Sequence, residues 1–524
     1  MTDTPLSSRR TMRLMGRAAL IVGSGVLLSR LLGLARDVVF ASVLGADRFT
    51  DEYQVAFIIP DFLNYLLAGG YLAITFIPIL SRYLADGDEP GGWRAFWTIA
   101  KPITFVMTGL VIVAMAVAEP VIDAVVPGLE PDQVARAAEM TRIVLPAQVF
   151  FVIGSLLMGV QYAKHRFLIP TLAPILYNLF IIAGGVLLNL GSRATPEGFA
   201  WGVLAGAIVG NFAVQWWGAR RAGLRWMPSA GDREPVLREY LGLALPLMIG
   251  QSLVLVDELL GRSFGSLVGS DGAISWLQYA RRTMLVPVGI IAQAAGVAAY
   301  PFLARLVAEG RHREMAAAVG KALRYVVVLS VAAAGGLIAL SVPIIRLLYE
   351  RNAWTAEDTA ATAAALVFFA LAVPMWGAQQ IYARAFYARR DMWTPVVLGT
   401  AATIVAVPTY WGFQRWWGVN GLAGASTVAL ALYTLALAGS WYRTSTRTEL
   451  GPVLRSGLRA VPLVIVGGFA AWAAAGAATS IGGDGSLGAL LAVVTGMAAF
   501  TATVVLGGGA LVDFRELKPG GRRP

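Results

Sequence analysis

The 524-residue sequence has no cysteine, which removes disulfides, thiolate metal sites and cysteine nucleophiles together. Histidine is almost as scarce: His165 and His312 are the only two, both in basic loop segments, so no histidine-based metal centre is on offer. No phosphate-binding P-loop motif occurs, which excludes ATP hydrolysis as a drive. Charge is thin as well. Only 14% of residues are Asp, Glu, Lys or Arg, against about 25% in a soluble domain. What is present instead is apolar: 57% of the chain is hydrophobic, in runs that recur at spanning length. The formal charge of +11 lies in short loops between those runs, a topology signal rather than a nucleic-acid face.

A helix needs about 20 apolar residues to cross a bilayer. That rule places fourteen spans, at 18–44, 51–81, 95–118, 138–163, 170–190, 198–219, 238–268, 272–304, 320–348, 360–388, 393–412, 418–441, 457–478 and 486–511. The second and eighth are long, polar in places and interrupted by Pro60 and Pro287. The basic stretch Met1 to Arg17 is similar to the start of a signal peptide, but no small-residue cleavage site follows. It reads as an uncleaved tail. Loops after even-numbered spans are basic: Arg82 and Arg94, Lys164 and Arg166, Arg220, Arg221, Arg225 and Arg233, Arg305 and Arg311, Arg389 and Arg390, Arg443 and Arg447. The opposite loops carry acids, among them Asp47, Glu119, Asp132, Asp271, Glu357 and Asp484. The alternation never inverts, so both termini are expected in the cytoplasm.

Two local patterns recur. Pro78-Ile-Leu-Ser-Arg82 with Gly87 matches Pro301-Phe-Leu-Ala-Arg305 with Gly310, a step of 223 residues. Tyr162-Ala-Lys164 with Pro170 matches Tyr387-Ala-Arg389 with Pro395, a step of 225. The expected organisation is therefore a cytoplasmic tail (1–17), an N-lobe of six spans (18–225), a C-lobe of six (236–447), an appended helix pair (455–512) and a second tail (513–524). The fold class is an all-α polytopic membrane protein, two parallel six-helix repeats around a central cavity plus two extra helices. The appended pair is a candidate groove for lipid tails.

Charges inside spans are costly and need a reason. Span one carries Arg30, Arg36 and Asp37; the arginines read as a cationic cavity wall and Asp37 as their structural partner. Span seven carries Asp257, Glu258 and Arg262, with Glu258 and Arg262 spaced to pair on one helix face. That leaves Asp257 as a candidate for a coupling Na+ or H+, or as the partner of another helix. Span eight carries Arg281 and Arg282 ahead of Pro287, of which only one is expected to face inward and whose proline is expected to break the helix. Guanidinium groups fork onto phosphate oxygens, so several arginines suit an anionic cargo, a diphosphate better than a single carboxylate.

These residues carry a resemblance. The run Ser29-Arg-Leu-Leu-Gly-Leu-Ala-Arg-Asp37, then Asp51, Pro60 and Phe76-Ile-Pro-Ile79, resembles the opening of the MurJ/MviN lipid II flippase family, within the multidrug/oligosaccharidyl-lipid/polysaccharide exporter superfamily. Ser275-Trp276, Tyr279-Ala280, Arg282, Leu347-Leu-Tyr-Glu-Arg351, Trp354-Thr355, Ala383-Arg-Ala-Phe-Tyr-Ala388, Asp391 and Thr394-Pro395 continue it in order. The resemblance implies a transporter, not an enzyme, in the bacterial inner membrane. Its cargo would be the undecaprenyl-diphosphate-linked peptidoglycan precursor, and other cell-wall synthesis proteins would be candidate partners. It also implies functional weight at Arg30, Arg36, Asp37, Asp51 and Arg282, and a sodium-linked role for Asp257. The sequence departs from the family after Pro60, where Asp61, Asn64, Tyr65 and Gly69 replace a pattern with two basic residues, and again at Arg281. Arg281 or Arg262 would have to compensate for the cation missing at Asn64, or the cargo is another polyprenyl-diphosphate glycan. A polytopic glycosyltransferase, with Asp51 and Glu52 imitating catalytic acids, and an antiporter of the same superfamily are the remaining readings.

Overall fold

The computed structural model describes residues 5–65, 71–189, 194–227, 234–445, 450–483 and 485–511, and all regular structure among them is helical. Gly69, Arg233, Arg447, Asp484 and the tail 513–524 lie outside the described residues. In the first half run α1 (Pro5–Leu44), α2 (Arg48–Ala56), α3 (Ile58–Leu63), α4 (Tyr71–Ala85), α5 (Glu89–Ala116), α6 (Ala118–Val125), α7 (Pro131–Val144), α8 (Ala147–Ala163), α9 (Leu168–Leu187), α10 (Glu197–Gly206) and α11 (Val214–Arg221). After α12 (Glu234–Ser266) come α13 (Ala273–Val288), α14 (Ala294–Ala308), α15 (His312–Ala339), α16 (Ser341–Tyr349), α17 (Ala356–Ala370), α18 (Val373–Ala388), α19 (Trp393–Thr444), α20 (Leu450–Gly482) and α21 (Ser486–Leu511). Helix occupies most of the described part of each expected span, with short breaks at Phe57, Val117, 145–146, Leu340 and 371–372. Eight of these stretches are long and apolar enough to cross a membrane, or nine if α17 and α18, bent by 42°, make one span. The 52-residue α19 covers two expected spans, divided at Gly418, whose φ of 55° no ordinary helix contains.

Particular spans differ from expectation. Residues 5–17, ahead of the first expected span, are helical and continuous with it in α1, whose first turn tolerates Pro5 because no N–H is needed there. The second span is broken at Phe57, three residues before Pro60. A proline ring clashes with the carbonyl four residues earlier, here Ala56, and α2 ends on that residue. Pro287, by contrast, does not break its helix: α13 continues to Val288 and passes through a π-helical turn, Gly289–Gln293, into α14. A second π-turn, Ala207–Ala213, joins α10 to α11. Such a turn misaligns backbone carbonyls. Gln215 answers by donating to the Gly210 carbonyl at 3.2 Å while accepting from buried Gln161 at 3.0 Å.

The chain forms two compact units, Met1–Leu259 and Leu260–Pro524, the division falling inside α12. In the first, α1 packs on α9, α9 on α10, α4 on α8 and α2 on α7. In the second, α13 packs on α17, α15 on α18 and α18 on α19, while α20 and α21 pair and lie against α15 and α16.

The repeat is visible element by element. α5 spans 89–116 and α15 spans 312–339, each followed by a one-residue break, Val117 and Leu340, at the same step of 223. Left-handed Gly87 and Gly310 share that step. From α7 and α17, which begin at 131 and 356, the step is 225 and includes left-handed His165 and Arg390. Of the two extra residues, one lengthens α16 relative to α6 and the other lies in the linker 350–355 relative to 126–130.

Close helix contact uses small residues, as membrane bundles require. A Cβ on Gly202 of α10 would stand 2.6 Å from the Phe180 carbonyl oxygen and 2.8 Å from the Ile181 Cα of α9. Large apolar side chains instead face outward, including Phe105 at 81%, Ile481 at 85% and Leu506 at 81% exposure. Contiguous apolar surface of that kind belongs in lipid. Gly202→Val is expected to lower the melting temperature in detergent by separating α9 from α10, at a cost of about 1–3 kcal/mol. An unchanged melting curve would contradict so close a contact.

Candidate functional site

In the first unit the expected charges sit on α1, α2 and α3. Arg30 is exposed, Arg36 half-buried and Asp37 buried. Adjacent helical positions diverge by about 100°, yet the long arginine side chain closes the gap: Arg36 Nη2 and Nε donate to Asp37 Oδ1 at 2.9 and 3.2 Å. Around this pair stand Tyr53 of α2 and Tyr177 of α9, and Tyr177 also lies within electrostatic reach of Asp61. Asp61 and Asn64, on α3 and at its C-cap, are half-buried. The next residue of α9, Asn178, is buried with its Oδ1 unsatisfied, 3.9 Å from where a side chain on Gly33 would begin. A buried acceptor without a donor marks a place for water or ligand. Sequence reasoning missed Tyr177 and Asn178, whose signal is two adjacent polar groups in an otherwise apolar span.

Asp51 is buried and its neighbour Glu52 fully so. Glu52 Oε1 accepts from Arg136 of α7 at 2.6 Å, Arg136 reaches Asp132 at 3.3 Å, and Arg48 binds Asp132 at 2.9 Å. Thr141 of α7 adds a hydrogen bond to the Ala56 carbonyl at 2.9 Å, at the break in the second span. Asp51 and Glu52 are thus enclosed in a helix joint rather than displayed on an outer loop. That placement does not suit catalytic acids.

The charges of α12 and α13 divide by burial. Asp257 and Glu258 are half-buried, Arg262 is buried, Arg281 is buried and Arg282 half-buried. The Arg282 guanidinium carbon stands 5.9 Å from the Tyr279 ring centre. Tyr279 is locked in place: its ring lies 4.8 Å from both Tyr349 and Trp354, and Thr283 Oγ1 is 3.4 Å from the Tyr349 hydroxyl. Trp276 Nε1 donates to Asp358 at 2.9 Å, and Asp358 forms a capping box with Thr355 at the start of α17. Arg351 donates to the Leu348 and Leu347 carbonyls at 3.0 and 2.7 Å, closing the end of α16. Asp391 caps α19 through Thr394. Most of the recognisable motif residues are therefore joints, and the Tyr279 knot holds Arg282. Among the described residues no group of three or more His, Asp or Glu side chains is arranged to hold a metal ion.

Residues 40–495 match the family model described as lipid II flippase MurJ. The lipid II flippase MurJ of Burkholderia cenocepacia is 29% identical over 427 residues, covering 80% of this chain and 82% of that protein. The probable lipid II flippase MurJ of Rhizobium meliloti is 28% identical over 437 residues, covering 80% and 81%. Among solved structures, lipid II flippase MurJ in an inward closed conformation superposes with a TM-score of 0.74 at 20% identity, over 95% of this chain and 99% of that one. An inward-facing MATE-family multidrug resistance transporter of the MOP superfamily gives 0.66 at 16% identity, over 81% and 97%.

The Glu52 joint carries a test. Arg136 keeps 29% of its side chain exposed while Glu52 keeps 1%. Arg136→Ala strands the buried carboxylate and is expected to cost about 3 kcal/mol, while Glu52→Gln/Arg136→Ala together recovers part of that loss. Thermal melting of both variants decides it; equal destabilisation would mean the charge pair is not what matters there.

Proposed function

The chain belongs to the lipid II flippase MurJ family, and we propose on that premise that it moves undecaprenyl-diphosphate-linked peptidoglycan precursor from the inner to the outer leaflet of the bacterial cytoplasmic membrane. As a member of that family it is a multi-pass membrane transporter, not an enzyme. The observation that carries the cargo is the family match over residues 40–495, joined to span arginines whose geometry suits phosphate. In this reading Arg30, Arg36 and Arg282 bind the diphosphate during alternating access, with Arg262 and Arg281 adding to the cationic field. Arg36 is paired with Asp37 at 2.9 Å. A diphosphate offers more acceptor oxygens than that carboxylate, so exchange of Asp37 for phosphate is the binding event proposed for Arg36. Asp257 is the candidate for a coupling Na+ or H+, and the charge of the loops supports a cytoplasmic position for both termini.

Asp61, Asn64 and Tyr65 support a second reading, in which another polyprenyl-diphosphate-linked glycan is the cargo. Asn64 and Tyr65 stand where the family resemblance leads one to expect basic residues, and Asp61 puts an acid nearby. Complementation of a strain depleted of its lipid II flippase separates the two: growth supports the precursor, and failure despite good membrane expression supports the other glycan.

Arg30→Ala, Arg36→Ala and Arg282→Ala are each expected to abolish flipping in reconstituted vesicles while the proteins stay inserted. Full activity in all three would remove the diphosphate argument. For the drive, Asp257→Asn is expected to uncouple transport from a sodium or proton gradient; unchanged gradient dependence in the same vesicles would count against that role.

A further inference from the structure

The internal repeat exposes an inequality between the two units. In the second, α20 and α21 cover α15: Val464 abuts Gly335, Gly457 abuts Val327, and Leu340 is enclosed together with Phe500. One repeat earlier the same positions are Thr104, Ile112 and Val117. There the face is bare, with Phe105 at 81%, Ile112 at 62% and Val113 at 59% exposure; Val106 beside it is 52% exposed, as its counterpart Leu329 is at 55%.

The end of this face changes character. Trp97 of α5 donates its indole N–H to the Arg225 carbonyl at 3.0 Å, seating the segment after α11 against α5. Trp226 packs on Trp97 with ring centres 4.3 Å apart and planes tilted by 56°, and the Lys101 ammonium lies 4.6 Å from the Trp226 ring centre. Arg220 stands 5.7 Å from the ring of Trp216, itself 6.2 Å from Trp97. Lys101, Arg220 and Arg225 are exposed, and among the described residues none of them is ion-paired to a carboxylate. Helix rise carries α5 about 18 Å from Lys101 to Val113. One leaflet of hydrocarbon is about 15 Å deep.

We propose that this face of α5 binds an anionic phospholipid of the bilayer, distinct from the transported cargo. Its phosphate sits at Lys101, Arg220 and Arg225, and its acyl chains follow Phe105, Val106, Ile112 and Val113. Charge complementarity selects the headgroup, the tryptophan rings hold the level of the membrane interface, and the apolar track selects a lipid over free phosphate. The lipid occupies on α5 the place that α20 occupies on α15.

The test is native mass spectrometry of the full-length chain titrated with phosphatidylglycerol or phosphatidylethanolamine of matched acyl chains. The wild type is expected to retain phosphatidylglycerol in preference. Each cation near an anionic headgroup changes partitioning about five-fold, so Lys101→Gln/Arg225→Gln together weaken phosphatidylglycerol retention about 25-fold. Phosphatidylethanolamine binding is expected to stay as it was. Trp226→Ala, which keeps the charges, is expected to reduce the same preference, whereas Arg311→Gln, removing an exposed arginine paired with Glu309 and Glu314 in the second unit, leaves it unchanged. Equal retention of the two lipids by the wild type overturns the proposal, as does an undiminished preference in the double variant; the face would then serve plain annular lipid or a partner's helix.

Discussion

Every polar group in this chain that enters hydrocarbon must be answered by another group of the same chain, and the architecture follows from that requirement. Helices answer their own backbone. At three interruptions a side chain is supplied: Gln215 at the π-turn 207–213, Thr141 at the break before Phe57, and Arg142, which donates to the Met115 carbonyl at 3.2 Å just ahead of the Val117 break. Without such partners these interruptions would be costly.

The same requirement explains why charges cluster where they do. Glu52 and Asp132 exist beside Arg136 and Arg48, and Asp37 beside Arg36. An arginine whose partner is a fixed carboxylate is a joint; one whose charge is only loosely matched can serve a moving anion. Arg36 stands between these cases, because its carboxylate is its own neighbour in sequence and moves with it. Arg282 rests against a locked tyrosine, its guanidinium carbon 5.9 Å from the Tyr279 ring centre.

Much of the fold was legible in the residues, since span length, loop charge and the double offset are all one-dimensional signals. The repeat could be read from Pro78 and Pro301 because helix ends need particular residues. The break at Phe57 was harder: the proline that causes it acts four residues upstream, so the signal and its effect do not coincide. The π-turn after Pro287 depends on how neighbouring helices absorb a displaced carbonyl, which no local pattern records. In the candidate site, Arg36 and Asp37 were readable as charges in an apolar run. Tyr177 and Asn178 were not, because their place beside α1 depends on the packing of two helices more than a hundred residues apart in the chain.

The shift from a step of 223 to one of 225 has a practical side. It means that one copy of the repeat has gained or lost one residue in the short helix and one in the linker to the capped helix that follows, and that both lengths fold. The linkers 126–130 and 350–355 are thus positions where an insertion has already been tolerated once in the history of this chain. A fluorophore or epitope placed there would report on each half while leaving the helix caps at Glu130 and Thr355 in register.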